Sequence, residues 1–340
     1  MSAITISTVD LKQVSLFVSV SFVIAFALAP ILTSFLEKNR IGKRLRQHGI
    51  DGKEAPIYAK LHASKAGTPV MGGLLFWITT AVLTFIFNLD RKETWLPLFV
   101  LIGAGIIGGV DDVMNVRGKG SNGGGLRLRD KFVIYAAIAI VGAWWFYSKL
   151  GWNSIGIPHF GTFEIGWWYV PLFILTLIFT SFSMNQTDGL DGLAGGVGMI
   201  AFFAFTFISL AQGKVHLAIF CACMLGSLLA FLWFNINPAR FFMGDTGSMA
   251  LGMTLAVLAF LTNSVVLLPF ILFIPFLEGI STVIQIISKK VFHRKVFLVA
   301  PIHHHFEAIG WKETKVTMRF WVIAAVVASL GLVLALIQIS

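Results

Sequence analysis

Ten stretches of the chain are apolar enough and nearly long enough to read as bilayer-crossing helices. They are residues 15–36, 70–88, 95–112, 132–149, 168–186, 193–212, 215–234, 246–263, 265–287 and 317–338. About 20 apolar residues, each rising about 1.5 Å, cross the roughly 30 Å of hydrocarbon in a bilayer. Polar residues gather between these stretches. The longest polar segment, 38–69, reads as a loop holding a short helix. The sixth and seventh stretches are parted only by Gln212-Gly213-Lys214, and the eighth and ninth by a weak break at Asn263-Ser264. No internal repeat or soluble domain interrupts the pattern. Residues 1–340 therefore read as one all-α, polytopic membrane domain of about ten transmembrane helices. The small-residue run Gly103-Ala104-Gly105, with Gly108-Gly109, reads as a seam that lets two helices approach closely.

Composition agrees. Of 340 residues, 57% are apolar and 12% charged, against roughly 25% charged in a typical soluble domain. Mean hydropathy is +0.84. So few charges cannot cover a water-facing surface, which excludes a soluble protein. The N-terminus lacks a basic stretch, and the first apolar run is too long for a signal peptide, so it is expected to remain as a helix. Cys221 and Cys223 lie inside an apolar run without metal-ligand spacing and read as packed thiols.

The formal net charge is +10, which fits either nucleic acid or a membrane surface. No basic run here is long or freestanding, so nucleic-acid binding is set aside and the charge is read as topology. Twenty-one of the 26 Lys and Arg fall in or beside the segments 38–69, 113–131, 235–245 and 288–316. The other five are Lys12, Arg91, Lys92, Lys149 and Lys214. By the positive-inside rule the first set is cytoplasmic and both termini face outward.

The acids then fall into place. Asp111-Asp112 end the third stretch, Asp188 and Asp191 lie between the fifth and sixth, and Asp245 opens the eighth. All five sit on the face that Lys and Arg mark as cytoplasmic. Asp191 and Asp245 each also read as helix N-caps. Capping alone does not explain five acids on one face, two of them adjacent. Adjacent carboxylates repel unless a cation lies between them, and oxygen ligands with little Cys or His favour Mg²⁺ or Mn²⁺. The run His303-His304-His305 cannot all face one metal, because helical neighbours point about 100° apart. It reads instead as donors to phosphate oxygens, or as one structural imidazole among three. Lys65, Arg129, Lys131, Asn185, Asn235 and Gln285 complete a set suited to phosphoryl transfer, which relies on positioning and counter-charge. Gly118 to Gly125 is not a phosphate-binding loop and reads as a flexible linker.

With these motifs the chain resembles the phospho-N-acetylmuramoyl-pentapeptide transferase family of polyprenyl-phosphate sugar-1-phosphate transferases. The motifs are Lys65-Ala66-Gly67-Thr68-Pro69-Val70-Met71-Gly72-Gly73, Asp111-Asp112, Asn185 to Gly192, Asn235, Phe241 to Ser248, and Pro301 to Glu307. The resemblance implies a transferase of the bacterial inner membrane, working in peptidoglycan synthesis as a homodimer that requires Mg²⁺. It implies UDP-N-acetylmuramoyl-pentapeptide and undecaprenyl phosphate as substrates, lipid I and UMP as products. It assigns Asp245 to the metal and Asp111 and Asp112 to catalysis. It gives Asp191, Asn235 and Phe242 to the uridine, and Lys65, Thr68, Arg129, Asn185, Asp188, Gln285, His303, His304 and His305 to other site positions. Two departures stand out: Asn115 and Arg129 occupy positions where the family usually has Lys. A sibling that transfers an N-acetylhexosamine phosphate is the nearest rival, and a carboxylate-based transporter is the rival from another class.

Overall fold

The computed structural model describes residues 6–42, 65, 67–119 and 125–339. The basic positions Lys43, Arg44, Arg46, Lys53 and Lys60, Ala66 of the Lys65 motif, and linker residues 120–124 lie outside them.

The helices are α1 (Thr8–Lys38), α2 (Leu74–Phe87), α3 (Trp95–Val116), α4 (Leu128–Trp144), α5 (Tyr169–Thr187), α6 (Leu193–Ala211), α7 (Val215–Asn235), α8 (Asp245–Leu261), α9 (Leu268–Ile271), α10 (Phe273–Val291), α11 (Ile302–Ala308) and α12 (Glu313–Ile339). The all-α membrane fold expected from the apolar pattern is present, and every apolar stretch contains helix. Among the described residues seven helices, α1, α3 to α7 and α12, are long and apolar enough to cross a bilayer, and an eighth span arises if the bent pair α9–α10 is one. The apolar helices α2 and α8 are shorter.

The ninth stretch is not one rod, since its two halves meet at 89°. Leu272 and Phe276 still donate to the carbonyls of Leu268 and Leu272. Pro275 between them has no N–H for the Ile271 carbonyl, and its ring crowds that turn. Such a proline breaks a helix.

α8 is the centre of the molecule. Every residue after Asp245 in this helix is buried, with α3 and α5 packed closely against it. The small-residue seam makes that approach possible. A Cβ on Gly108 would stand 2.3 Å from the Asp245 carbonyl oxygen, and one on Gly252 would stand 2.5 Å from Ser181 Cα. The Thr246 hydroxyl then donates to the Gly105 carbonyl at 2.6 Å. This contact fixes the start of α8 along α3.

α10 is built inside out for water but correctly for lipid. Glu278, Ser281, Thr282, Gln285 and Ser288 are buried, whereas Ile280, Val283, Ile284, Ile286 and Ile287 are exposed. One element was absent from the sequence reading: a short antiparallel hairpin, β1 (Ser154–Ile157) with β2 (Gly161–Glu164), in which Ser154 faces Glu164. Gly156 N donates to Asn263 Oδ1 at 2.8 Å, which ties the hairpin to the turn after α8.

Candidate active site

Three of the expected acids converge where α3 ends and α8 begins. Lys131 of α4 reaches between them, with its Nζ 2.5 Å from Asp111 Oδ2 and 2.5 Å from Asp245 Oδ2. Asp111 Oδ1 accepts from Leu126 N at 2.6 Å. Asn185, on the last turns of α5, donates to Asp245 Oδ1 at 2.8 Å and to Ser248 Oγ at 2.9 Å. Asp112 points the other way: its two oxygens accept the backbone N–H groups of Asp245 and Thr246 at 3.0 Å each. Asp245 is therefore not its own helix's cap, as its sequence position suggested. Gly244 occupies that place with a φ of 76°, where a side chain is strained.

A second cluster forms around Asp191. Lys65 Nζ donates to Asp191 Oδ1 at 2.7 Å and also contacts Glu313 of α12. Glu313 Oε1 accepts from the Asp191 backbone N–H at 2.7 Å. Asp191 Oδ2 accepts from Asn237 Nδ2 at 2.9 Å and from Ala239 N at 3.1 Å. Here too the capping role passes elsewhere, since Gly192 with φ of 77° is the residue preceding α6. Asn235 joins the two chain segments: its Oδ1 accepts from Gly192 N at 3.0 Å and its Nδ2 donates to the Phe241 carbonyl at 2.8 Å. The Lys65 ammonium stands 5.7 Å from the centre of the Phe242 ring, within cation–π range. Burial alone would lower the Lys65 pKa, but Glu313 and Asp191 outweigh it and the pKa is raised. Lys65 is thus a fixed positive charge beside an aromatic face.

The three histidines of α11 point in separate directions, as helix geometry requires. His303 is fully buried, its Nδ1 3.0 Å from Glu278 Oε2 of α10. His304 Nδ1 pairs with Glu307 Oε2 at 2.7 Å. His305 Nδ1 accepts from Leu298 N at 3.2 Å. Burial pushes the Glu307 carboxyl up to about 7. Gln285 spends its amide on the loop that leads to α11. Its Oε1 accepts from Val296 N and Phe297 N at 3.0 Å each, and its Nε2 donates to the Phe297 carbonyl at 2.8 Å.

The structure therefore gathers Asp111, Asp112, Asp245 and Asn185 into one cluster, and Lys65, Asp191, Asn235 and Phe242 into another. Asp188 lies at the end of α5, in the turn that leads to Asp191. Thr68 lies next to the strand-like contact of Pro69 with Gly42, its N–H directed to the Lys65 carbonyl at 3.4 Å. Arg129 is exposed, and Lys131, two positions on, holds the acids. Glu278, Glu307 and Glu313 were not singled out as site residues from the sequence. A signal for Glu278 was available: it shares a stripe with Ser281, Thr282 and Gln285 at helical spacing in an otherwise apolar run.

Carboxylates paired with an ammonium at the end of membrane helices, beside a second polar cluster with an aromatic wall, define a membrane-embedded transferase. The glycosyl transferase family 4 model matches residues 94–263, which is half of the chain. A phospho-N-acetylmuramoyl-pentapeptide-transferase of Geobacillus thermodenitrificans is 38% identical over 322 residues, covering 92% of this chain and 95% of the relative. The protein of that name from Geobacillus sp. is 39% identical, over 95% and 98%. That from Bacillus anthracis is 40% identical, over 92% and 95%. The chain belongs to the phospho-N-acetylmuramoyl-pentapeptide-transferase family.

Proposed function

We propose that this protein transfers phospho-N-acetylmuramoyl-pentapeptide from its UDP derivative to undecaprenyl phosphate, giving lipid I and UMP. The observation that carries this reading is the cation-bridged pair Asp111–Asp245 beside the Lys65–Asp191–Phe242 cluster. One cluster suits phosphate chemistry and the other suits a nucleoside with its charge. In the reaction a lipid phosphate oxygen attacks the β-phosphorus of the UDP-sugar. The bond between that phosphorus and the oxygen bridging to the α-phosphate breaks, and UMP leaves with the electron pair.

Asp111 and Asp245 would hold Mg²⁺. Their oxygens already share one cation, Lys131, and hard carboxylate oxygens are the donor set that Mg²⁺ takes. Among the described residues no three acidic or imidazole groups are placed to hold a metal by themselves. Mg²⁺ commonly binds one or two carboxylates and completes its shell with water and substrate phosphates. When bound, the metal would neutralise charge on the leaving UMP. Lys131 and Asn185 orient Asp245, and Asp112 fixes the backbone beneath it. Asp111 or Asp112 orients the attacking lipid phosphate. Phe242 stacks on the uracil, with Asp191 and Asn235 at the edge of the same pocket. Lys65, Thr68, Asp188, His304 and His305 meet the diphosphate and sugar, with the buried His303 behind them. The site lies on the cytoplasmic face of the bacterial inner membrane, both termini lie outside, and the protein works as a homodimer.

Purified protein given both substrates should release UMP, stop on addition of EDTA and restart with Mg²⁺. Asp245→Asn should be inactive under all these conditions. Turnover that persists without metal removes the Mg²⁺ role. Chromatography of the lipid product from each UDP-sugar separates this reading from an N-acetylhexosamine phosphate transferase.

A further inference from the structure

Glu278 is a fully buried carboxylate on α10, a helix of the broken membrane pair, and the roles assigned above leave it unused. An acid at this depth is costly unless a specific partner holds it. Its Oε2 lies 3.0 Å from His303 Nδ1, and both side chains are closed to solvent. The same oxygen receives the His303 backbone N–H at 3.4 Å. One turn further along α10, Ser281 Oγ accepts from Ile302 N at 3.1 Å. The start of α11 is thus seated on the polar stripe of α10. Both ring nitrogens of His303 and Glu278 Oε1 have no hydrogen-bond partner among the described residues, so Glu278 meets the ring by close ionic contact and meets the chain through the His303 backbone N–H. On its far side the imidazole meets Gly189: a Cβ there would stand 2.2 Å from His303 Nε2. Gly189 lies in the turn between Asp188 and Asp191.

We propose that Glu278 is a positioning residue of the nucleotide site, fixing the His303 ring against which the Asp188–Asp191 turn rests. The inference depends on the reading that Asp191 borders the nucleotide. The chain of contacts is short and rigid. A carboxylate lies 3.0 Å from an imidazole nitrogen, the far edge of that imidazole sets the height of a glycine backbone, and two residues later Asp191 pairs with Lys65. Glycine at position 189 is the residue that lets the ring edge come this close. Since His303 is closed to solvent, its effect reaches the nucleotide through the turn rather than by touching it.

The test is steady-state UMP release against UDP-sugar concentration. Glu278→Gln keeps size and shape but loses the charge that faces the imidazole. It should raise KM for the UDP-sugar by about tenfold, the worth of a charge-assisted contact, with kcat within about threefold. A fall in kcat at unchanged KM overturns the proposal. So does an unchanged KM with a lowered unfolding temperature, because Glu278 would then only join α10 to α11. Should Glu278→Gln fail to fold, Gly189→Ala probes the contact from the other side. It should raise KM in the otherwise native protein and add nothing in a His303→Ala background. Equal effects in both backgrounds overturn the proposal. A native enzyme that releases no UMP would defeat the assigned reaction, whereas native turnover with an unmoved KM in these variants defeats this inference alone.

Discussion

Asp112 caps the helix that carries Asp245. Its two carboxylate oxygens accept the N–H groups of Asp245 and Thr246 at 3.0 Å each. The residue preceding α8 is a glycine and has no side chain to do this. The adjacent acids Asp111 and Asp112 therefore do different work: one faces Lys131 and the other faces a helix end. The carboxylate also suits the positive end of the α8 dipole.

Asp112→Asn leaves one acceptor oxygen for two N–H groups. It should cost about 1 kcal/mol of stability, the usual worth of a cap. UMP release should fall about 10²-fold or more, because Asp245 loses its fixed place. Thermal unfolding in detergent and the UMP assay check the two halves. A variant less stable but fully active would make Asp112 a cap and nothing else.

Lys131 and Arg129 should separate cleanly. Lys131→Gln removes the only charge seen between Asp111 and Asp245 among the described residues, so the two acids repel. Activity should drop by about 10²-fold or more. Arg129→Gln alters an exposed side chain and should leave turnover within about threefold, since isolated surface charges contribute little. The reverse ranking in the UMP assay would return Arg129 to the site.

Gly108→Ala should disrupt the contact of α3 with α8. Its new methyl would stand 2.3 Å from the Asp245 carbonyl oxygen, a backbone atom with nowhere to move. Overpacking of this kind costs about 1–3 kcal/mol. Gly103→Ala is the control: its Cβ would lie 3.7 Å from Ile138 Cδ1, an ordinary contact. Unfolding temperatures of the two variants should differ clearly, with Gly103→Ala near the native value.

Glu307 makes stability depend on pH in a defined direction. Burial lifts its carboxyl from an ordinary value of 4.5 to about 7. Between those values the folded state holds the proton that the unfolded state has lost. The contribution to stability is therefore complete below 4.5 and is lost as pH rises through about 7. The unfolding temperature of the native protein relative to Glu307→Gln should fall between about pH 5 and pH 8. A flat difference over that interval would show that Glu307 titrates normally.

Much of the fold was legible because lipid is an undemanding solvent: it asks for apolar runs, and the runs are plain. The 89° break was harder to see. Pro275 marks it, but a proline inside an apolar run is also compatible with a kinked single span. The hairpin at Ser154–Glu164 leaves little trace because two strands of four residues carry too few alternating positions. At the site the aspartates stood out because acids are rare in such a chain. What the sequence could not tell is which acid faces which base. Arg129 and Lys131 are equally basic on paper, and only the path of α4 brings one of them to Asp111. Glu278 was overlooked for a related reason. It lies deep inside an apolar stretch rather than at its end, and the burial of its face appears only once α10 and α11 are packed together.

α8 has no lipid neighbours along its length. The helix bearing Asp245 is thus solvated by protein alone, and its 17 residues, about 25 Å at 1.5 Å each, need not match the thickness of any bilayer. A change in acyl-chain length would be taken up by tilting of the outer helices α1 and α12, which expose apolar side chains along much of their length. The reactive centre rides on an inner pillar, insulated from variation in the membrane around it.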